Sequence, residues 1–141
     1  MADNKTVNQF KELLAAAEAA RKVAYAPYSK FTVGAAVRTK SGKIFSGCNV
    51  ENVSFGLTIC AERSAVAAAI SAGERDFVVI GVVANSKTPA LPCGACRQVL
   101  AEFNPAMKVV AATPGGMSQE FELAELLPKP AQGILESDSN V

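Results

Sequence analysis

The sequence contains no histidine. That absence removes every mechanism in which imidazole acts as base, nucleophile partner or metal ligand, the Ser-His-Asp and Cys-His hydrolases among them. A metal bound by this chain is held by cysteine or carboxylate. Concentrated runs of Lys or Arg are also missing: fourteen basic and thirteen acidic residues leave a formal charge of +1. Binding a polynucleotide draws on a dense positive field that neutralises phosphates, so no nucleic-acid partner is expected. No apolar run reaches the ~18 residues of a membrane span, and the opening "MADNKTVNQF" has no apolar stretch of the secretory type. The expected compartment is the reducing cytoplasm, with no membrane partner, where cysteines serve as free thiols or metal ligands rather than disulfides. Charged residues are sparse, 19% against 50% hydrophobic, an apolar excess that points to surface buried between subunits.

What is present fits one domain of 141 residues, long enough for a real core and short for two. Apolar residues at Val7, Phe10, Leu13, Leu14 and Ala17 recur at helical spacing and predict an amphipathic helix from Val7 to about Val23. "FTVGAAVRT" and "KIFSGCNV" flank Ser41-Gly42 and read as a β-hairpin. Next come a helix over 60–73 stopped by Gly73, a buried strand over 76–85, a helix over 94–103 and a second buried strand over 107–113. Residues 121–127 read as a short last helix, and about 129–141 as an irregular tail. The pattern is an α/β sandwich on a mixed sheet.

Four cysteines stand at Cys48, Cys60, Cys93 and Cys96. Taken alone, Cys93-Gly-Ala-Cys96 divides between redox pair, metal ligands and neither. Cys60 changes the reading, because it too opens a predicted helix, and a layered α/β fold can bring two helix N-termini to one sheet edge. The partial positive charge there favours the thiolate that binds zinc. Three thiolates leave the fourth tetrahedral position open, as in a catalytic zinc site. Glu62, two residues after Cys60, can move protons beside it, although a carboxylate in a first helical turn also simply complements the helix dipole. Zinc with three thiolates carries net negative charge, which Arg63 and Arg97 can offset by donating to sulfur.

"CAER" followed by "PCGACRQ" resembles the cytidine deaminase family in its small, homotetrameric, all-cysteine branch, with the likeness running from about Tyr25 to Pro128. The resemblance implies a three-layer α/β/α sandwich with a mixed five-stranded sheet over a single domain, 1–141. It implies one zinc ion per subunit on Cys60, Cys93 and Cys96, and Glu62 as proton shuttle in hydrolytic deamination of a pyrimidine nucleoside, cytidine or 2′-deoxycytidine. It further implies that Phe31 packs on the base, that Ala61 and Cys93 meet its edge through their backbone, and that Asn49 and Glu51 hold the sugar hydroxyl. Phe55 would reach a neighbouring subunit's site within a homotetramer, and Arg63 and Gln98 would support the ligands. Cys48 falls outside this set.

The chain departs from the family pattern in two places. Phe55 stands where a tyrosine is common, and Ala131 stands where an aromatic usually closes the base pocket, leaving Ile134 or Leu135 as replacements. Ala131 keeps a second substrate class in view, a modified or antibiotic cytosine nucleoside of blasticidin type. From other classes come a thiol oxidoreductase built on Cys93 and Cys96 and a closed four-cysteine structural zinc module.

Overall fold

The computed structural model describes residues 9–131. Helix α1 (Lys11–Arg21) precedes the hairpin strands β1 (Val33–Thr39) and β2 (Ile44–Cys48), then a 3-10 turn at Phe55–Leu57 and helix α2 (Ala61–Ser71). Strand β3 (Phe77–Ala84), helix α3 (Gly94–Phe103), strands β4 (Lys108–Ala112) and β5 (Ser118–Glu122) and the short helix α4 (Leu123–Leu126) complete the order. The strands form one sheet in the order β2-β1-β3-β4-β5. It is mixed: β3 and β4 run parallel, and the other neighbours are antiparallel. The βαβ crossover supplies the parallel pair, as such a pair requires.

Alternation along the strands separates two cores. Ala35, Val37, Ile80, Val82 and Val109 face α2 and α3, while Ala36, Val79, Val83 and Val110 face Phe10, Leu13 and Ala17 at α1. Strand β3 is therefore apolar on both faces, which is why it reads as an unbroken hydrophobic run. Two glycines set how closely the helices approach. A Cβ on Gly34 would lie 1.9 Å from the Ala17 carbonyl oxygen, and one on Gly47 would lie 2.5 Å from the Ala65 backbone nitrogen. Helix α1 thus rests backbone to backbone on β1, and α2 does the same on β2 from the other face. The result is the three-layer α/β/α sandwich with a mixed five-stranded sheet.

One expectation is corrected at the C-terminal side. Residues 121–127 are not all helical: Phe121 and Glu122 belong to β5, paired with Val109 and Lys108, and the helix is confined to Leu123–Leu126. "SQEFE" is an edge strand with no apolar alternation, so its pairing comes from the turn at Gly116 (φ 101°) and the bond from Thr113 N–H to the Met117 carbonyl, 2.8 Å. In the N-terminal helix, Val7 lies outside the described residues, as do Ile134 and Leu135.

Outside the main sheet, Tyr25, Val50 and Ile59 form a short three-chain ladder: Tyr25 bridges Val50 in parallel and Val50 bridges Ile59 antiparallel. This ladder delivers the chain into Cys60. No described helix is long and apolar enough to cross a membrane.

Candidate metal centre and cleft

Cys60 and Cys93 occupy the N-cap positions of α2 and α3, and neither side chain caps its helix. Ser, Thr, Asn or Asp at such a position would turn its oxygen back to the helix N–H groups. The sulfurs are instead free to point outward, at the edge of the sheet where β3 ends. Cys96, in the first turn of α3, is fully buried. The three sulfurs all lie within 4.8 Å of one another, with Cys60 and Cys93 at 3.9 Å. Ligands around a tetrahedral zinc at about 2.3 Å stand roughly 3.8 Å apart. The donor set and spacing therefore fit zinc. Cys48 is half-buried with its sulfur 4.0 Å from the Val23 carbonyl oxygen and takes no part in the cluster, so the four-cysteine closed site does not form.

The electrostatics follow from crowding three sulfurs at two positive helix ends. The Cys96 thiol donates to Cys60, and this bond is the chief reason that the Cys60 thiol drops to about 5, with Arg63 and Cys93 adding to it. The same bond and burial push Cys96 upward. Arg63 Nη2 stands 3.5 Å from the Cys60 sulfur and 3.4 Å from the Thr58 carbonyl oxygen, and the Cys60 bond raises the arginine in turn. Its Nε is buried with no acceptor among the described residues. Glu62, in the first turn of α2, is 5% exposed. Burial first, and then the Cys60 charge, lift its carboxyl to about 7 against the opposing pull of its own backbone N–H. A carboxyl so placed can both accept and release a proton near neutrality.

These groups open onto a cleft of about 260 Å³ lined by Phe31, Asn49, Glu51, Cys60, Ala61, Glu62 and Cys93. Val33, Thr58, Val82, Ala84, Ala90 and Leu91 complete its walls. None of the latter carried a chemical signal in the sequence; only the two prolines around Ala90-Leu91 mark that stretch as a loop. Phe55 is not in this cleft. It is 77% exposed and borders a separate hollow with Tyr28, Ser29, Glu51 and Thr58.

Asn49 and Glu51 also hold the cleft wall. The Asn49 Oδ1 accepts from Val33 N–H at 2.8 Å and its Nδ2 donates to the Phe31 carbonyl at 2.8 Å. Glu51 Oε1 accepts from the backbone N–H groups of Tyr28 (3.0 Å) and Ser29 (3.1 Å), and the Ser29 hydroxyl donates to Oε2. Those bonds, the Ser29 hydroxyl foremost, keep the carboxyl below the usual range.

Arg97, directly after Cys96, departs from expectation. Arg97 does not donate to sulfur: its Nε bonds the Pro92 carbonyl at 2.8 Å and its Nη1 the Leu126 carbonyl at 2.9 Å. It fastens the loop before Cys93 to the end of α4. Gln98 grips the backbone of Ala131 at both ends of its amide, donating to the carbonyl at 3.1 Å and accepting from the N–H at 2.9 Å.

Three clustered thiols at paired helix N-termini, beside a buried carboxyl in a cleft, fit the class of hydrolytic zinc enzymes. Residues 7–113 match the family described as "Cytidine and deoxycytidylate deaminase zinc-binding region". The chain is 54% identical over 110 residues to a cytidine deaminase of Halalkalibacterium halodurans, covering 77% of this chain and 83% of that one. The crystal structure of a cytidine deaminase from Burkholderia pseudomallei superposes with a TM-score of 0.83 at 48% identity, over 86% of this chain and 98% of that one. A blasticidin-S deaminase of Bacillus cereus is more distant, 32% identical over 108 residues, or 71% of this chain and 76% of that one. The chain belongs to the cytidine and deoxycytidylate deaminase family.

Proposed function

We propose that this chain hydrolyses the exocyclic amine of cytidine or 2′-deoxycytidine, yielding uridine or 2′-deoxyuridine and ammonia, as a step of pyrimidine salvage in the cytoplasm. The observation that carries this reading is the meeting of three sulfurs, the buried Glu62 carboxyl and the Phe31, Asn49 and Glu51 wall in one cleft. Cys60, Cys93 and Cys96 would hold one zinc ion per subunit. Zinc, when bound, supplies Lewis-acid chemistry that makes water a nucleophile at neutral pH.

The remaining work belongs to side chains. Phe31 packs on the pyrimidine face, and the backbone at Ala61 and Cys93 meets its edge. Glu62 takes a proton from the attacking water and gives it to ring N3. As the C4–O bond forms and the C4–N bond breaks, the same carboxyl carries the second proton to the amino nitrogen, which leaves as ammonia. Glu51 accepts a sugar hydroxyl beside Asn49. Arg63 offsets the excess negative charge of three thiolates, and Gln98 steadies the ligand helix from its bond to Ala131.

Replacing Glu62 with Gln keeps the size and the zinc ligands but removes the proton carrier. The expected result is a fall in kcat of roughly a thousandfold on cytidine, followed by the absorbance change on deamination, with zinc content unchanged. Full activity in that variant overturns the mechanism.

The whole of residues 1–141 is taken as one domain, assembled as a homotetramer that shares its sites. The apolar residues Val53, Phe55 and Leu57, exposed just before the first ligand, support that assembly; a monomer in sedimentation velocity would refute it. Ala131, with a methyl where the family pattern has a ring, favours a second reading, deamination of a modified or antibiotic cytosine nucleoside. A substrate panel separates the two.

A further inference from the structure

The segment from Tyr28 to Val33 has no place in the main sheet until its last residue, yet it carries Phe31 into the cleft. Its shape is held by side chains. Asn49 bonds the backbone of Phe31 and Val33, and Glu51 bonds that of Tyr28 and Ser29. Between these two anchors sits Lys30, a non-glycine residue in the left-handed region (φ 62°), a conformation that costs on the order of 1 kcal/mol and persists only where neighbours enforce it. The Ser29 side chain spans that residue: its Oγ accepts from Phe31 N–H at 3.0 Å while its hydroxyl hydrogen goes to Glu51 Oε2.

We infer that Ser29 is a positioning residue for nucleoside binding, tying the Glu51 carboxylate and the Phe31 ring into one unit so that sugar and base are recognised together. This rests on the reading of Glu51 as the sugar anchor. A carboxylate offers about four acceptor sites. Two backbone N–H groups and one hydroxyl occupy three, all from residues 28 and 29, which leaves one acceptor site on Oε2 for a single substrate hydroxyl. Because the Ser29 hydroxyl fixes the carboxylate rotamer, it decides where that site points. Because the same oxygen receives the Phe31 N–H, a shift of the carboxylate shifts the ring as well. Ser29 touches neither the sulfurs nor Glu62, so its effect falls on binding and not on the chemical step.

The test is a kinetic cycle on the zinc-loaded protein. Ser29→Ala is expected to raise KM for cytidine roughly tenfold, the scale of a lost hydrogen bond to a charged group, with kcat within about twofold. Ser29→Thr, which keeps the hydroxyl, is expected to restore KM. In a Glu51→Gln background, itself raised in KM, Ser29→Ala is expected to add little, since both act through one bond. An unchanged KM in Ser29→Ala, or effects that add in the double variant, overturns the inference while leaving deamination intact. If Glu51→Gln leaves KM unchanged, or cytidine is not a substrate, the reading of the sugar anchor falls instead. Amide hydrogen exchange then decides the bridge without any substrate: the peptide covering residues 28–33 exchanges faster in Ser29→Ala than in the parent if the bridge orders it. Equal exchange overturns it.

Discussion

The two walls of the cleft are built by different means. The metal wall comes from α2 and α3, whose N-termini place Cys60, Cys93 and Cys96 while their bodies pack on the sheet through Ala65, Leu100 and Ala101. Its geometry is a consequence of secondary structure and core burial. The facing wall, proposed above to bind substrate, runs from Tyr25 to Val33 and Asn49 to Ile59; it has one three-chain ladder and the 3-10 turn at Phe55–Leu57, and side chains bonding backbone, above all Asn49 and Glu51, hold its 28–33 segment. Helices that share a core move together and rarely, whereas loops held by a few bonds open at lower cost. On the proposed function the contrast separates chemistry from recognition: the helix-built wall would carry the reaction, and the loop-built wall would select what reaches it.

The largest expected effect breaks the metal wall alone. Cys96→Ser replaces a fully buried ligand and is expected to cut activity by roughly a thousandfold or more with zinc lost on dialysis. Hydrogen exchange in residues 28–33 should stay at the parent level, and a rise there would mean that the two walls are not separable. Next comes the reverse experiment. Asn49 is 7% exposed, and Asn49→Ala leaves the Phe31 carbonyl and the Val33 N–H without partners, which costs about 1–3 kcal/mol. A lower thermal midpoint and a raised KM are expected with full zinc content; loss of zinc from this variant would contradict the division.

The smallest effect lies at the margin of the second wall, where α1 meets Thr32. Arg21 holds Glu18 at 2.5 Å and reaches Thr32 Oγ1 at 2.9 Å, linking α1 to the start of β1. The Arg21 bond lowers the Glu18 carboxyl below its ordinary value of 4.5. A depressed carboxyl contributes stability that is complete above the unfolded value and is lost as pH falls through the folded one. The contribution is therefore present at pH 6 and shrinks as pH falls below about 4.5. For a half-exposed pair it amounts to less than about 1 kcal/mol. Glu18→Gln should lower the melting midpoint slightly at pH 6, by an amount that declines as pH is taken below about 4.5, with catalysis unaltered at neutral pH.

The sequence made the metal wall legible and the substrate wall only partly so. Cys60, Cys93 and Cys96 could be placed because each sits where an apolar helical pattern begins, and the topology does the rest. Buried strands such as "FVVIGVVA" announce themselves through composition. Strand β5 does not, because an edge strand as polar as "SQEFE" owes its register to its partner. Asn49 and Glu51 were visible as polar residues on an extended stretch, but nothing in the string tells that their hydrogen bonds return to residues 28–33. Direction of donation was likewise hidden for Arg97, which serves two carbonyls rather than sulfur. Nothing in the string marks Gly34 and Gly47 as sites of close approach; only the packed helices show what they admit.

The grip of Gln98 on Ala131 has a consequence for how such an enzyme can change. The amide addresses main-chain atoms alone, so the attachment of this stretch is indifferent to the side chain that position 131 carries. Attachment and identity are thus written in different residues. A ring, a methyl or a polar group could be exchanged there without unfastening the chain from the ligand helix, so this position can change its side chain while the helix that carries Cys96 stays put.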